Sequence, residues 1–306
     1  MDIRAFAKVN LTLRVLGARA DGYHDLRTTF QSIALHDVLT FTAGPRDFEL
    51  TCDDLRCPLT DNLIERAARL LWRESGRPRR FPGVRVQLKK RIPMQAGLGG
   101  GSADAAAALR ALSVLWRLPV DATRLAALGR TLGADVPFCL EGGKMLGLDR
   151  GDLLFRLPDS MRAGVVLLVP PFGVSTKDAY AWFDAAPGRE APAGTGAATR
   201  ARPLAASAER RGRFGLGMPE SELVNNLQPP VERHHPSIAA LVSGLRTAGA
   251  EHAAMSGSGS AVFGLFASDA KARRAAASLG RAGHHAIATY TLSRAACTRL
   301  GAPRLR

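Results

Sequence analysis

PMQAGLGGGSADAAAAL, residues Pro93 to Leu109, places four glycines within five positions (Gly97, Gly99, Gly100 and Gly101) directly before Ser102 and an alanine-rich run. A backbone without Cβ atoms that feeds straight into a helix is what a phosphate seat requires. Glycine permits close approach and unusual backbone angles. The first N–H groups of the helix have no internal acceptor and lie at the positive end of its dipole. A nucleotide phosphate is therefore the expected guest. Two familiar identities are excluded. A P-loop needs lysine and then Ser or Thr after its last glycine, whereas Ser102 follows Gly101 directly. The dinucleotide fingerprint needs a third glycine where Ser102 stands and an acidic residue at a strand end about 20 positions on; Asp121 instead opens a helix. A plain turn ahead of a packed alanine helix is the remaining alternative, but four glycines cost more backbone entropy than an ordinary turn justifies.

Working outward, Val84, Val86 and Leu88 form one face of a strand feeding the loop, and Leu109, Leu112 and Leu115 line a helix that begins near Ser102. A second helix, Asp121 to Leu132, leads to GADVPFCL. Upstream, Ile3–Leu16, Phe30–Thr42 and Phe48–Cys52 read as strands, with ADGYH a turn between the first two and Asp61 or Asn62 capping a helix. Gly142–Arg150 reads as the last strand of the first half. Downstream, Val165–Val169, His252–Met255, Ala261–Phe266 and Ala286–Thr291 read as strands, and Ser221–Asn226, Ser237–Ala248 and a segment from Asp269 as helices. Pro187–Pro219 is rich in Ala, Gly, Pro and Arg without clean periodicity and reads as an extended insertion, or as a helix around Ala205–Arg211. The boundary falls between Asp152 and Ala163, giving two domains, 1–155 and 156–306.

At 306 residues and 46% hydrophobic, the chain can bury two cores. Lys+Arg 42 against Asp+Glu 27 gives +15, which favours anionic partners, phosphorylated metabolites as readily as nucleic acid. A basic nucleic-acid-binding protein is thus the alternative from another functional class. The arginines are scattered or gathered at Arg200, Arg202, Arg210, Arg211 and Arg213 with few aromatics between them, so a solvated surface fits better than a base-stacking platform. Cys52, Cys57, Cys139 and Cys297 make neither a disulfide framework nor a zinc site, and read as reduced thiols. The longest apolar run, Ala163 to Val174, is too short to span a bilayer and contains Pro170 and Pro171. A cytoplasmic protein without membrane partner is expected; oligomeric state is not legible.

Three further stretches carry candidate chemistry. In AKVNLTLRVLGARADGYHDL, Lys8 and Asn10 share one strand face, and Tyr23 and His24 follow an Asp-Gly turn. The plainer alternative for Lys8 is an edge-strand lysine facing water. In GADVPFCL, Asp135 leads into a buried apolar stretch and needs a cation or a hydrogen bond, or else simply caps a helix. MSGSGSAVFGLF puts Gly257 and Gly259 in a turn between strands, either a bare hairpin or a second close approach of backbone to phosphate or substrate.

Taken in order, AKVNL, RADGYHDL, PMQAGLGGGSADAA, LGADVPF, GVST and MSGSGSAVF resemble the motifs of the GHMP kinases, from about residue 5 to 292 apart from the insertion. GYH together with GLGGGS narrows the resemblance to a member acting on a cytidine diphosphate ester of methylerythritol; relatives using homoserine or mevalonate are the runners-up. The resemblance implies an α+β fold, with an N-terminal domain like ribosomal protein S5, a C-terminal ferredoxin-like domain and a cleft between them. It implies ATP and Mg²⁺ as cofactors. Lys8 and Asp135 become the catalytic pair. Pro93, Gly97, Leu98, Gly99, Gly100, Gly101, Ser102 and Ala103 become the ATP site, Ser102 with reach to Mg²⁺. Asn10 becomes a ligand for the erythritol part, His24 the reader of the cytosine edge, Tyr23 and Tyr180 the rings holding the base, and Thr176 a further substrate contact. Three positions depart from the family pattern: Phe6 for proline, Ala103 for a second serine, and Gln95 for a glycine, the last leaving less room beside the triphosphate.

Overall fold

The computed structural model describes residues 1–44, 47–77, 80–186 and 223–304. The insertion expected at Pro187–Pro219 lies outside them. Two sheets organise the chain. The first opens with a long hairpin, β1 (Asp2–Ala18) and β2 (His24–Ala43), whose register shifts between Phe6 and Lys8 and again between Asn10 and Thr12. Irregularities of this kind re-aim side chains next to active sites. Then come β3 (Phe48–Cys52), α1 (Leu63–Glu74) and β4 (Val84–Lys89). β4 shows the alternation expected of a half-buried strand: Val84, Val86 and Leu88 are buried, and Arg85, Gln87 and Lys89 face solvent.

The glycine stretch passes into α2 (Gly100–Leu115), followed by α3 (Ala122–Leu132), α4 (Val136–Glu141), β5 (Lys144–Asp149) and β6 (Leu153–Arg156). α2 begins at Gly100, two residues before the serine expected to open it, because Gly100 and Gly101 already belong to its first turn. The first sheet runs β3-β4-β2-β5-β6, with β1 paired to β2. Ala105, Ala106, Ala108 and Ala111 are all but fully buried, so their short side chains let α2 pack close against the sheet.

The second sheet contains β7 (Gly164–Leu168). After it come α5 (Thr176–Asp184), α6 (Gln228–His234) and α7 (Ser237–Thr247), then β8 (His252–Met255), β9 (Val262–Phe266), α8 (Asp269–Arg281) and β10 (Ala286–Tyr290). All its pairings are antiparallel in the order β10-β7-β9-β8, the β-α-β-β-α-β arrangement of ferredoxin-like folds. The last helix, α9 (Arg294–Leu300), turns back to the first sheet, where Arg304 pairs with Asp2. One apolar cluster joins the two halves: Val165, Leu167, Phe263 and Leu265 of the second sheet pack with Ala7, Leu98 and Ala103 of the first half.

One expected helix is corrected. Leu223–Asn226, the described part of Ser221–Asn226, is not helical; Asn225 forms an isolated bridge with Leu13. Leu13 N–H donates to Val224 O at 2.7 Å, and Asn226 N–H donates to Leu13 O at 2.8 Å, so β1 takes the backbone groups that a helix would have used. Among the described residues, no helix is long and apolar enough to cross a membrane.

Candidate active site

α1, α3, α5, α8 and α9 each begin with a side chain that accepts a backbone N–H: Asn62, Asp121, Ser175, Ser268 and Ser293. α2 begins without one, as do α4, α6 and α7. Its cap residue, Gly99, is left-handed at φ 70° and offers no side-chain acceptor, and its first turn holds no acidic residue. The opening N–H groups of the helix are left for an external anion.

The loop ahead of them is held through its own backbone carbonyls. Lys8 N–H donates to Leu98 O at 3.0 Å, Ala261 N–H to Ala96 O at 3.2 Å and Val174 N–H to Gln95 O at 3.3 Å. The Ser256 hydroxyl donates to Gly97 O at 3.0 Å. Gly97 is left-handed at φ +72°, and a Cβ there would lie 1.9 Å from Ser256 O. The MSGSGS turn therefore approaches the glycine loop itself. Gln95 is also left-handed, at φ 52°. Its side chain lies along Gly173, where a Cβ would come within 2.8 Å of Gln95 Cβ and Oε1. The Gln95 side chain thus packs against the GVST segment.

Lys8 does not face water. Its side chain is buried, and Nζ donates to Asn10 Oδ1 at 2.7 Å, pairs with Asp135 Oδ2 at 3.2 Å and lies 5.6 Å from the centre of the Phe30 ring. The Asn10 amide donates in turn to the Thr28 hydroxyl at 2.7 Å, so both polar ends of Asn10 are engaged within the protein and aim Lys8. Asp135 stands at the cap position of α4, yet its side chain makes no cap hydrogen bond. The carboxylate turns instead to Lys8 and keeps 31% of its surface exposed, against 5% for the Lys8 side chain. A Cβ on Gly99 would lie 3.0 Å from Lys8 Cγ and 3.7 Å from Asp135 Oδ2. Pair and glycine loop thus meet at one point, and glycine there leaves the carboxylate open.

The other expected residues lie on a second wall. His24, at the start of β2, stacks on Tyr180 of α5 with ring centres 4.7 Å apart, and its Nε2 lies 2.9 Å from Asp184 Oδ1. Burial pushes the Tyr180 phenol up, which keeps the ring neutral. The Thr176 and Ser258 hydroxyls are 3.3 Å apart, joining α5 to the MSGSGS turn. Tyr23 stands outside this cluster, 56% exposed, with the Arg150 guanidinium 5.3 Å from its ring centre.

Several residues escaped the reading of the sequence. Asn225 donates to Met255 O and Gly257 O, both at 2.8 Å, and fixes the second glycine turn. Asp184 orients His24. Beneath the glycine loop, Lys90 Nζ donates to Asp37 Oδ2 at 2.5 Å and to Asp104 Oδ2 at 2.7 Å. Burial pushes the Asp104 carboxyl up, and the Lys90 ammonium opposes that rise. Burial would lower the Lys90 ammonium, but the two carboxylates more than offset it. The available signal was an acid inside an alanine helix and another inside an apolar strand, since neither is buried without a partner.

Among the described residues, no three His, Cys, Asp or Glu side chains gather as a metal cluster. Ser102 Oγ lies 3.9 Å from where a Cβ on Gly133 would stand. One protein hydroxyl beside an uncapped helix start suits a hard cation that arrives with phosphate oxygens rather than one caged by protein.

Comparison with known proteins agrees with this geometry. Residues 62–143 match the family described as GHMP kinases N terminal domain, and residues 203–285 match GHMP kinases C terminal. The chain is 45% identical over 297 residues to a 4-diphosphocytidyl-2-C-methyl-D-erythritol kinase of Moorella thermoacetica, covering 95% of this chain and 99% of that one. It superposes with TM-score 0.76 and 37% identity on the crystal structure of a 4-(cytidine 5'-diphospho)-2C-methyl-D-erythritol kinase, covering 95% of this chain and 99% of that one. With the Methanococcus jannaschii mevalonate kinase it shares the fold, at TM-score 0.65 and 13% identity over 96% of this chain and 98% of that one. The chain belongs to the GHMP kinases, in the branch of the 4-diphosphocytidyl-2-C-methyl-D-erythritol kinases, and is a small-molecule kinase of two-domain α+β fold.

Proposed function

We propose that this kinase uses ATP with Mg²⁺ to phosphorylate the 2-hydroxyl of 4-diphosphocytidyl-2-C-methyl-D-erythritol, a step toward isoprenoid precursors outside the mevalonate route. The observation that carries the reading is the Lys8–Asp135 pair, 3.2 Å apart at the foot of a helix start that has no side-chain cap. The cleft would lie between the domains expected at 1–155 and 156–306, with the second wall drawn from both, His24 from the first and Tyr180 and Asp184 from the second.

The N–H groups of Gly100, Gly101 and Ser102 hold the phosphates, with Gly97, Leu98 and Gly99 shaping the cradle and Pro93 and Ala103 bounding it. Asp135 accepts the proton of the acceptor hydroxyl as its oxygen forms a bond to the γ-phosphorus and the bond from that phosphorus to the departing diphosphate breaks. Lys8, held by Asn10 and Asp135, places its ammonium where charge develops on the transferring group. Mg²⁺, when bound, would neutralise phosphate charge, and the Ser102 hydroxyl would be the side chain to hold it. On the second wall, His24 reads the cytosine edge, Tyr180 and Tyr23 provide ring faces for the base, and Thr176 contacts the substrate. Much of the affinity then comes from a part of the substrate remote from the chemistry.

A coupled assay with Mg-ATP and the cytidine diphosphate ester tests the reading. Turnover inhibited competitively by cytidine nucleotides is expected; turnover no higher than that of an Asp135→Ala control sinks it. Phosphorylation of homoserine or mevalonate without cytidine inhibition would assign a different alcohol. Salt-sensitive binding to random DNA or RNA without nucleotide-dependent thermal stabilisation would point to a nucleic-acid binder instead.

A further inference from the structure

Asp37, Lys90 and Asp104 form a cluster that phosphoryl transfer does not use. All three are close to fully buried, with side-chain exposures of 0% for Asp37, 6% for Lys90 and 5% for Asp104. Burying such a group is expensive, and an apolar trio of similar volume would serve stability as well or better. Its geometry supplies a reason for it.

Asp37 Oδ1 accepts the N–H groups of Arg91 at 2.5 Å and Ile92 at 2.8 Å, the two residues just before Pro93. β4 has ended at Lys89, so these donors have left its ladder. Asp37 Oδ2 and Asp104 Oδ2 both take the Lys90 ammonium. Asp104 lies one turn inside α2, on the far side of the glycine loop. Everything between the two anchored ends, Pro93 to Ala103, is loop and first helical turn. A Cβ on Gly100, the first helical residue, would lie 3.2 Å from Lys90 Nζ and 3.1 Å from Ile92 Cγ2, so Gly100 rests directly on the cluster.

We propose that Asp37, Lys90 and Asp104 are positioning residues that clamp both ends of the glycine loop and set the spacing at which its N–H groups meet the triphosphate. The clamp acts from beneath the loop, and its loss weakens nucleotide binding before it affects the acceptor alcohol. The inference rests on the reading that the loop holds ATP.

The test uses the full chain. Titration calorimetry with Mg²⁺ and a non-hydrolysable ATP analogue gives Kd, steady-state assays give KM for ATP and for the alcohol, and thermal melts give Tm. Asp104→Leu is expected to weaken the analogue tenfold or more while moving KM for the alcohol less than twofold. Asp104→Asn, which can still accept from Lys90, is expected to stay within threefold of the parent. Leu112→Ala, a buried change on the same helix, controls for stability and is expected to lower Tm without moving Kd beyond twofold. Should Asp104→Leu fail to fold, Asp37→Asn carries the test, with an expected fivefold or greater loss of analogue affinity. Unchanged affinity in Asp104→Leu or Asp37→Asn, or an equal loss in Leu112→Ala, overturns the clamp. A parent chain that binds no analogue overturns the ATP reading itself, so the two failures are distinguishable.

Discussion

From Ala96 to Ser102 the phosphate wall carries four glycines and no charged side chain, and it is bonded through backbone groups to β1 and to the turn between β8 and β9. The acceptor wall is the reverse: Tyr23, His24, Tyr180 and Asp184 are side chains from a hairpin and from α5, stacked and paired at its surface. The first wall works by what it lacks. A single methyl group at Gly97 meets a carbonyl oxygen. The second works by what its side chains offer, and substitution there subtracts a contact without forcing the backbone to move. Changes on the first wall should act steeply and changes on the second gradually, while the Lys8–Asp135 pair between them should separate rate from binding.

The largest effect is expected at the pair. Asp135→Asn keeps the shape and removes the base, so kcat should fall by about 10³-fold, within the range that general-base groups supply. KM for ATP and Tm should stay near the parent values. A variant retaining a tenth of the parent kcat would show that Asp135 is not the base.

Gly97→Ala comes next and probes the steep wall. The new Cβ would stand 1.9 Å from Ser256 O at a φ of +72°. The left-handed backbone alone costs an alanine about 1–2 kcal/mol, and the collision must displace either the loop or the β8–β9 turn. KM for ATP is expected to rise at least tenfold and Tm to drop by several degrees. If purified Gly97→Ala keeps KM for ATP within twofold, the loop is not held as rigidly as its hydrogen bonds imply.

The two walls differ in how much of them the sequence shows, for the same reason. Gly97, Gly99, Gly100 and Gly101 act through local backbone conformation, so their meaning lies in adjacent residues, and a close-approach loop running into a helix was legible in one stretch. The four-stranded sheet was legible too, because short apolar runs such as Val165–Val169 read directly as strands. Asp184 was not legible, since its partner His24 is supplied by a distant segment and nothing near Asp184 announces it. Lys8 read as an edge lysine from its strand alone, since the Asp135 carboxylate that pairs with it in the interior comes from a segment far along the chain. Leu223–Asn226 failed in the other direction: its local pattern suggested a helix, but β1 captured its backbone. Long-range partners override local propensity, and they are what a single stretch of sequence cannot display.

On the graded wall, Tyr180→Ala should raise KM for the cytidine ester without changing KM for ATP. Stacking on a base contributes about 1–3 kcal/mol, which corresponds to roughly 5- to 150-fold. Tyr180 also stacks on His24, so its removal frees the imidazole as well and the upper half of that range is expected. Equal effects on both KM values would mean that α5 serves the fold rather than the base.

The smallest effect is expected at Tyr23, and it decides whether the acceptor wall has one face or two. Tyr23 is 56% exposed, and its ring lies 5.3 Å from the Arg150 guanidinium. An exposed cation–π contact is worth about 0.5–1 kcal/mol, and the ring must leave or share it to cover a base. Tyr23→Ala should therefore raise KM for the cytidine ester only about two- to fivefold, the lower part of the stacking range after that contact is subtracted. Arg150→Ala should lower KM slightly by releasing the ring. The double variant Tyr23→Ala with Tyr180→Ala then reports their coupling. If both rings grip one base, the losses combine non-additively, because removing either loosens the other. If Tyr23 stays with Arg150, the double variant behaves as Tyr180→Ala alone, and the base is held from one side.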